Sequence, residues 1–433
     1  AVVFGTTILG SNPSAPANNM LIVDNIKKIL FPFYKNRKIK EIFNHLNNKN
    51  KNNVMLVGGC VRNYLNNEQI GDIDLATTLT PGEVIKKLAN TNFKVLKTGI
   101  HHGTLTLQQD KEIFEITTLR EDISTDGRHA KVSFTDNWEK DSNRRDFTIN
   151  AIYLDQNGKI FDPHNGRRDL KEKKIKFIGN AQERIEEDYL RIIRFLRFSI
   201  QYKNFENDKD TIKIIKKNIP GILKLSKERI FSEIVKITKL SNLSEVASNN
   251  EFKEIFDIIF PEFKYLNRLN SLENKKLKKY IMLEYNLVLA LLLIDHSDNH
   301  NYFAHKYKTS NFLKEYLNFL HKYFYEAKKN RNFFSKDLKK NVFFHNKEKI
   351  ISLAKFYYSL IKPKNLKKID DLINEIKTLR VPEFPLTGEY LINKGFKSGR
   401  KIGEILKKVE KVWIEKDFNL KKEDLNNLIK KFN

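Results

Sequence analysis

LVGGCVRNYLNNEQIGDIDLAT, Leu56 to Thr77, sets an apolar run against a Gly-Gly turn, then a basic residue, then two aspartates one residue apart. Asp72 and Asp74 flank Ile73, so on a strand their carboxylates project to one face and repel unless a cation lies between them. A hard divalent ion carrying phosphate relieves that repulsion. A bare Asp-x-Asp is more often a pair of surface acids at a strand edge. Here Gly58 and Gly59 let the backbone approach a phosphate at a helix start, and Arg62 puts positive charge on the first turn. The stretch therefore predicts a phosphate-and-metal site.

Working outward, VMLVGG, DIDLATT, FKVLKTG, GTLTLQQ, EIFEITTLR, KVSF and NAIYLD carry the β-branched and aromatic residues of strands, several with period-two alternation. Val61 to Leu65 and TPGEVIKKLAN supply helices between them, and Ile22 to Leu46 is an amphipathic lead-in. The pattern predicts a mixed sheet with helices on one side. Glu115, in IFEITTLR, is a candidate third carboxylate, although such a residue alone more often faces solvent. From about Asp169 the period changes to that of helices and stays so to Phe432. VPEFPLTG, Val381 to Gly388, punctuates that run and marks a boundary.

In 433 residues, 79 Lys and Arg stand against 53 Asp and Glu, a formal charge of +26. Such an excess points to a polyanionic partner, with compositional bias of the genome as the plain alternative for the lysines. The single Cys60 excludes an internal disulfide framework and a cysteine zinc cluster, and is expected to be a small core residue in a reducing, cytoplasmic setting. Leu287 to Ile294, the longest apolar run, is too short to span a bilayer and reads as a buried helix segment. Residues 1–19 are uncharged and turn-forming; they are expected to be a flexible or non-native extension, with Met20 as the natural start.

Two further motifs carry chemistry. NRRDFTINA, Asn143 to Ala151, concentrates Arg144, Arg145 and Asp146 before a buried-looking run that Asn150 interrupts. It is either a capped turn with surface arginines or a cradle for ribose and triphosphate, since guanidinium forks match phosphate oxygens. In EEDYLRIIRFLRF, Asp188 and Arg191 are three apart and share a face of the predicted helix. The plain reading is an intrahelical ion pair. The same pair offers an acceptor beside a fork of donors, which matches the base edges of cytosine and adenine and repels those of guanine and uracil.

GGCVRN with DIDLA, then RRDFTINA, EEDYLR and KERIFSEI, in that order and spacing, resemble the class II tRNA nucleotidyltransferases, the CCA-adding enzymes. The motifs cover about Val54 to Val235, and FPLTGEYLINKGFKSGRKIGEIL resembles the tail of bacterial members. The resemblance implies an α+β protein: a nucleotidyltransferase head with a mixed β-sheet over residues 20–168, followed by an all-helical neck (169–265), body (266–380) and tail (381–433). It implies addition of C, C and A from CTP and ATP to the tRNA 3′ end, with release of pyrophosphate. Asp72 and Asp74 match the aspartates that hold two Mg²⁺ ions, with Glu115 as a further catalytic acid. Gly58, Gly59, Arg62, Arg145, Asp146, Asn150, Asp188, Arg191 and Arg194 fall to nucleotide binding. Glu228 and Arg229 match a structural neck motif, and Glu121 to Val132 a flexible loop used in changing from C to A addition. Asn63 departs from the family, which has Asp there.

Alternatives remain beside this reading. Poly(A) polymerases share the head, but KTGIHHGTLTL stands where they carry a Gly-Arg-Arg-Phe-like segment. An A-only enzyme shares every motif, and a noncatalytic RNA-binding protein is disfavoured by the intact aspartates. Lys394, Lys397, Arg400 and Lys401, around two glycines, are either a solvated face or a grip on tRNA phosphates. DHSDNH, from Asp295 to His300, reads as a polar loop more readily than a metal site, His101 and His102 as a turn, and the aromatics of residues 302–345 as helical core. No membrane and no obligate protein partner are expected.

Overall fold

The computed structural model describes residues 32–48, 52–124, 131–205, 208–270, 272, 278, 281, 284–361 and 367–432. The expected extension at 1–19, the first part of the lead-in and the centre of the Glu121 to Val132 loop lie outside them. The strands are β1 (Val54–Val57), β2 (Ile73–Thr77), β3 (Lys94–Gly99), β4 (Thr104–Gln109), β5 (Glu112–Thr118), β6 (Arg120–Ser124), β7 (Lys131–Phe134), β8 (Tyr153–Leu154) and β9 (Ile160–Phe161). Seven of them form one sheet in the order β3-β4-β5-β2-β1-β8-β9, while β6 and β7 pair separately. The sheet is mixed, as expected: β2 runs parallel to β5 and antiparallel to β1.

Alternation sorts the two faces of the sheet. Leu56, Leu75, Leu105, Leu107, Phe114 and Ile116 pack against Ile39, Ile42, Phe43 and Leu46 of the Arg37–Leu46 helix, with Cys60, Val61, Val84 and Leu88 from the next two helices. Burying these side chains contributes roughly 1.5–3 kcal/mol each. Asn36 caps the first helix, and Thr80 with Glu83 forms a capping box around Pro81 for the third. The opposite face carries Met55, Val57, Ala76 and Tyr153 under Trp138. Asp74 lies between Ile73 and Leu75, and Glu115 between Phe114 and Ile116, so both acids emerge on this second face.

Beyond Phe161 every regular element among the described residues is a helix. The expected single helix through IEEDYLRIIRFLRFSI is two, Ala181–Glu187 and Leu190–Tyr202, because Asp188 is extended at φ −155° and ψ 102°. Leu287 to Ile294 is wholly buried, in and just beyond the Tyr285–Leu293 helix. No described helix is long and apolar enough to cross a membrane. The chain divides into two compact units, residues 1–230 and 231–433. In the second, Leu391, Ile405, Val409, Trp413 and Leu425 form a core of their own.

Phe147 is fully buried and anchors the NRRDFTINA segment, its ring 4.9 Å from Phe177 and 5.5 Å from Phe198. Gly166 brings the following helix against the same segment; a Cβ there would lie 2.1 Å from the Thr148 carbonyl oxygen. Backbone must move to admit it, so Gly166→Ala should destabilise the protein by about 2 kcal/mol or more. Chemical denaturation checks this, and an unchanged midpoint would contradict the packing described.

Candidate active site

Gly58 ends β1 with φ 72° and ψ −129°, a backbone conformation closed to L side chains, and caps the Gly59–Leu65 helix. A Cβ on it would lie 3.8 Å from Arg145 Nη1, 3.9 Å from Asp74 Oδ2 and 4.0 Å from the Asn150 carbonyl. One glycine turn thus gathers three motifs that are far apart in the chain. Asp74 stands directly across from Glu115 in the parallel β2–β5 register. Asp72 is exposed and sits one residue before β2 starts, at the mouth of the strand.

Asp74 is pushed up to about 6, by burial first and then by the charges of Glu115 and Asp72, against the opposing pull of Arg145 and Arg62. The cluster is short of positive charge, and its oxygen donors suit a hard cation. Among the described residues no three acidic, His or Cys side chains stand close enough to hold an ion alone. Magnesium commonly binds through one or two carboxylates and completes its shell with water and substrate phosphate oxygens, so Asp72 and Asp74 fit that ion.

The arginines are already matched. Arg145 donates through Nε to the Tyr153 hydroxyl at 3.0 Å and through Nη2 to Asp141 at 3.1 Å. Asp141 is fully buried and also binds Arg144 at 2.7 Å and the Tyr153 hydroxyl at 2.8 Å. Burial works to raise its carboxyl, but Arg145, Arg144 and Tyr153 outweigh it and hold it below the usual range. Arg62 is buried, with its guanidinium 4.8 Å from the Phe198 ring, and donates to Asn150; it does not point from the first turn into solvent. Asn150 donates to Asp146 Oδ1 at 2.9 Å, and Arg194 grips Oδ2 at 2.6 and 2.7 Å. Burial opposes ionisation of Asp146, yet Arg194 and these hydrogen bonds bring it down to about 2.

The expected Asp188–Arg191 ion pair does not form. The break between the two helices takes Asp188 off the helical face, and its Oδ2 accepts from Arg229 at 2.7 Å. Arg191 instead donates to Glu187 and to the Arg184 carbonyl, both at 2.6 Å. Glu187 also binds Arg184, which donates to the Arg144 and Arg145 carbonyls. Asp188 and Arg191 therefore stand next to one another, each held by a third residue. Asp141, Arg184 and Glu187 were not singled out in the sequence, where they resemble ordinary surface-helix charges.

Lys394, Lys397, Arg400 and Lys401 are all exposed, next to Gly395 and Gly399 at positive φ, and Arg400 pairs with Glu404 at 3.1 Å. His101 and His102 form a short 3-10 turn. Asp295 accepts from Ser297 and Lys264, and His300 is buried against Asn318, so DHSDNH is a hydrogen-bonded corner. Cys60 is buried in the core.

Residues 54–176 match the Poly A polymerase head domain, and 204–266 the probable RNA and SrmB-binding site of polymerase A. The mouse (Mus musculus) mitochondrial CCA tRNA nucleotidyltransferase 1 is 32% identical over 398 residues, 88% of either chain. The CCA-adding enzyme of Streptococcus pyogenes serotype M1 is 33% identical over 83% of this chain and 88% of its own. The Bacillus stearothermophilus CCA-adding enzyme, solved with CTP, superposes with a TM-score of 0.68 at 22% identity, covering 90% of this chain and 96% of that one. The fold is that of a nucleotidyltransferase. The chain belongs to the CCA tRNA nucleotidyltransferase family.

The raised Asp74 carboxyl predicts a pH dependence. The folded state keeps a proton there that the unfolded state loses near pH 3.8, so stability falls as pH rises from about 4 to about 6. Metal-free wild type should lose on the order of 2 kcal/mol across that window relative to Asp74→Asn. Parallel denaturation profiles for the two proteins would contradict this.

Proposed function

We propose that this protein adds C, C and A from CTP and ATP to the 3′ end of tRNA without a nucleic-acid template. The observation that carries the reading is the convergence at Gly58 of Asp74, Arg145 and Asn150, with acid on one side of the turn and base on the other. Asp72 and Asp74 would hold the magnesium ions, with Glu115 beside them. When bound, those ions lower the pKa of the attacking hydroxyl and stabilise the leaving pyrophosphate. Arg145 is fixed by Asp141 and Tyr153 beside the place a triphosphate would take, so its orientation costs nothing further on binding. Asp146 and Asn150 present hydrogen-bonding groups held by Arg194 and Arg62, suited to a ribose hydroxyl.

Asp188 and Arg191 are the proposed base readers. Asp188 retains acceptor lone pairs beyond the Leu190 N–H and Arg229, and Arg191 retains donors beyond Glu187 and the Arg184 carbonyl. An exocyclic amine next to a ring acceptor satisfies both, whereas a carbonyl oxygen facing Asp188 is repelled. The exposed Lys394, Lys397, Arg400 and Lys401 are proposed to contact tRNA phosphates. The mitochondrial names of some relatives belong to those proteins; for this chain we propose a cytoplasmic, reducing compartment, in keeping with one buried thiol.

Asp72→Ala should lower incorporation of CTP and ATP at least a thousandfold while tRNA binding persists; unaltered turnover would remove the metal assignment. Arg191→Ala should lose discrimination against UTP and GTP by roughly one to two orders of magnitude with little change in unfolding midpoint. Single-nucleotide incorporation assays check this, and retained selectivity would reduce Arg191 to a helix ion-pair partner.

A further inference from the structure

The connection from the glycine-turn helix to Asp72, residues 66–71, is irregular, contains Asn67 at φ 58°, and ends at an exposed Gly71 with open space around it. Asp72 follows immediately and lies outside β2, so no sheet hydrogen bonding sets its position. Hydrogen bonds to the connection do, the Glu68 N–H to the Asn63 carbonyl at 2.8 Å among them. Asn63 donates from Nδ2 to the Gln69 carbonyl at 2.9 Å while its Oδ1 accepts from Arg62 at 3.2 Å. On the far side, Gln201 donates from Nε2 to Glu68 Oε2 at 2.7 Å, and Asn66 donates to Oε1 of the same carboxylate.

We propose that Asn63 and the Glu68–Gln201 pair are positioning residues that fix the approach to Asp72 from both sides. The proposal rests on Asp72 being a catalytic acid. It also accounts for the amide at position 63, where the resembling family has a carboxylate. The amide both accepts from Arg62 and donates to the Gln69 carbonyl; an ionised carboxylate there has no donor and would set acceptor against acceptor. Gln201 lies on the last turn of Leu190–Tyr202, whose first turn carries Arg191, so one helix holds the base-reading residue at one end and tethers the Asp72 connection at the other.

Gln201→Glu tests this, because it sets two carboxylates against each other where a 2.7 Å hydrogen bond stood. The double variant Glu68→Gln with Gln201→Glu reverses donor and acceptor and restores the bond. Three readouts are taken on each protein: kcat and KM for CTP on tRNA, the unfolding midpoint, and hydrogen–deuterium exchange of residues 66–72 in the metal-free protein. Gln201→Glu should lower kcat by tenfold to a hundredfold with KM for CTP unchanged within twofold, and speed exchange in 66–72, while the double variant recovers both. Wild-type kcat and exchange in Gln201→Glu would overturn the proposal. So would a fall in kcat matched by a lower unfolding midpoint with exchange in 66–72 unchanged, which marks a structural role. Asp72→Ala is run alongside: if it turns over normally, the catalytic reading of Asp72 fails instead.

Discussion

The head of this molecule is built on an imbalance of charge. Arg144 and Arg145 share Asp141, Arg194 has Asp146, and each is locked by its acid. Asp74 and Glu115 stand side by side on two central strands, with Asp72 just before the first of them, and none of the ion pairs among the described residues includes them. Ionising Asp74 there costs free energy, which is why its carboxyl is pushed up to about 6. Arg145 and Arg62 offset part of that cost and a cation from outside would relieve more of it, while the positive φ of Gly58 lets the backbone turn close beside Asp74. The metal, phosphate and ribose recognition proposed for this site would thus follow from one electrostatic arrangement.

The Leu190–Tyr202 helix connects that arrangement to substrate choice. Arg191 lies at its start, Arg194 reaches Asp146 from its middle, and Phe198 receives Arg62, Arg194 and Arg197 at 4.8, 5.7 and 4.0 Å. Each cation–ring contact contributes about 0.5–2 kcal/mol. Three guanidinium groups around one ring would repel if unneutralised; Asp146 takes up the charge of Arg194, and Asn150 orients Arg62. A rigid helix docked on the motif loop through Phe147 is a precise scaffold for the residues proposed to read a base edge.

What was legible in the sequence was local or periodic. The Gly-Gly turn, the Asp-x-Asp pair, the alternation that places Glu115 and the change to helical period after Asp169 all depend on neighbouring residues, and the sheet and helical remainder follow them. Asp141 was not legible, because in NWEKDSN it looks like a first-turn acid on a surface helix; Arg144 and Arg145 are its near neighbours in the chain, but only the fold buries it and adds the Tyr153 hydroxyl. The Asp188–Arg191 spacing reads as one continuous helix, since the apolar period runs through the break, where the Asp188 carboxylate accepts from the Leu190 N–H and from Arg229, forty-one residues away. Arg62 reads as a first-turn cation, yet Asn150 and Phe198 draw it inward. In each case a partner distant in sequence overrode a local rule.

The account stands or falls on what one site adds to RNA, in what order and how far. Incubating the purified protein with Mg²⁺, CTP and ATP and a tRNA transcript that ends at the discriminator base, then sequencing the extended 3′ ends, measures this directly. The account predicts C, C and A in that order, followed by a stop. A single A, a run of A residues, or no extension would contradict it.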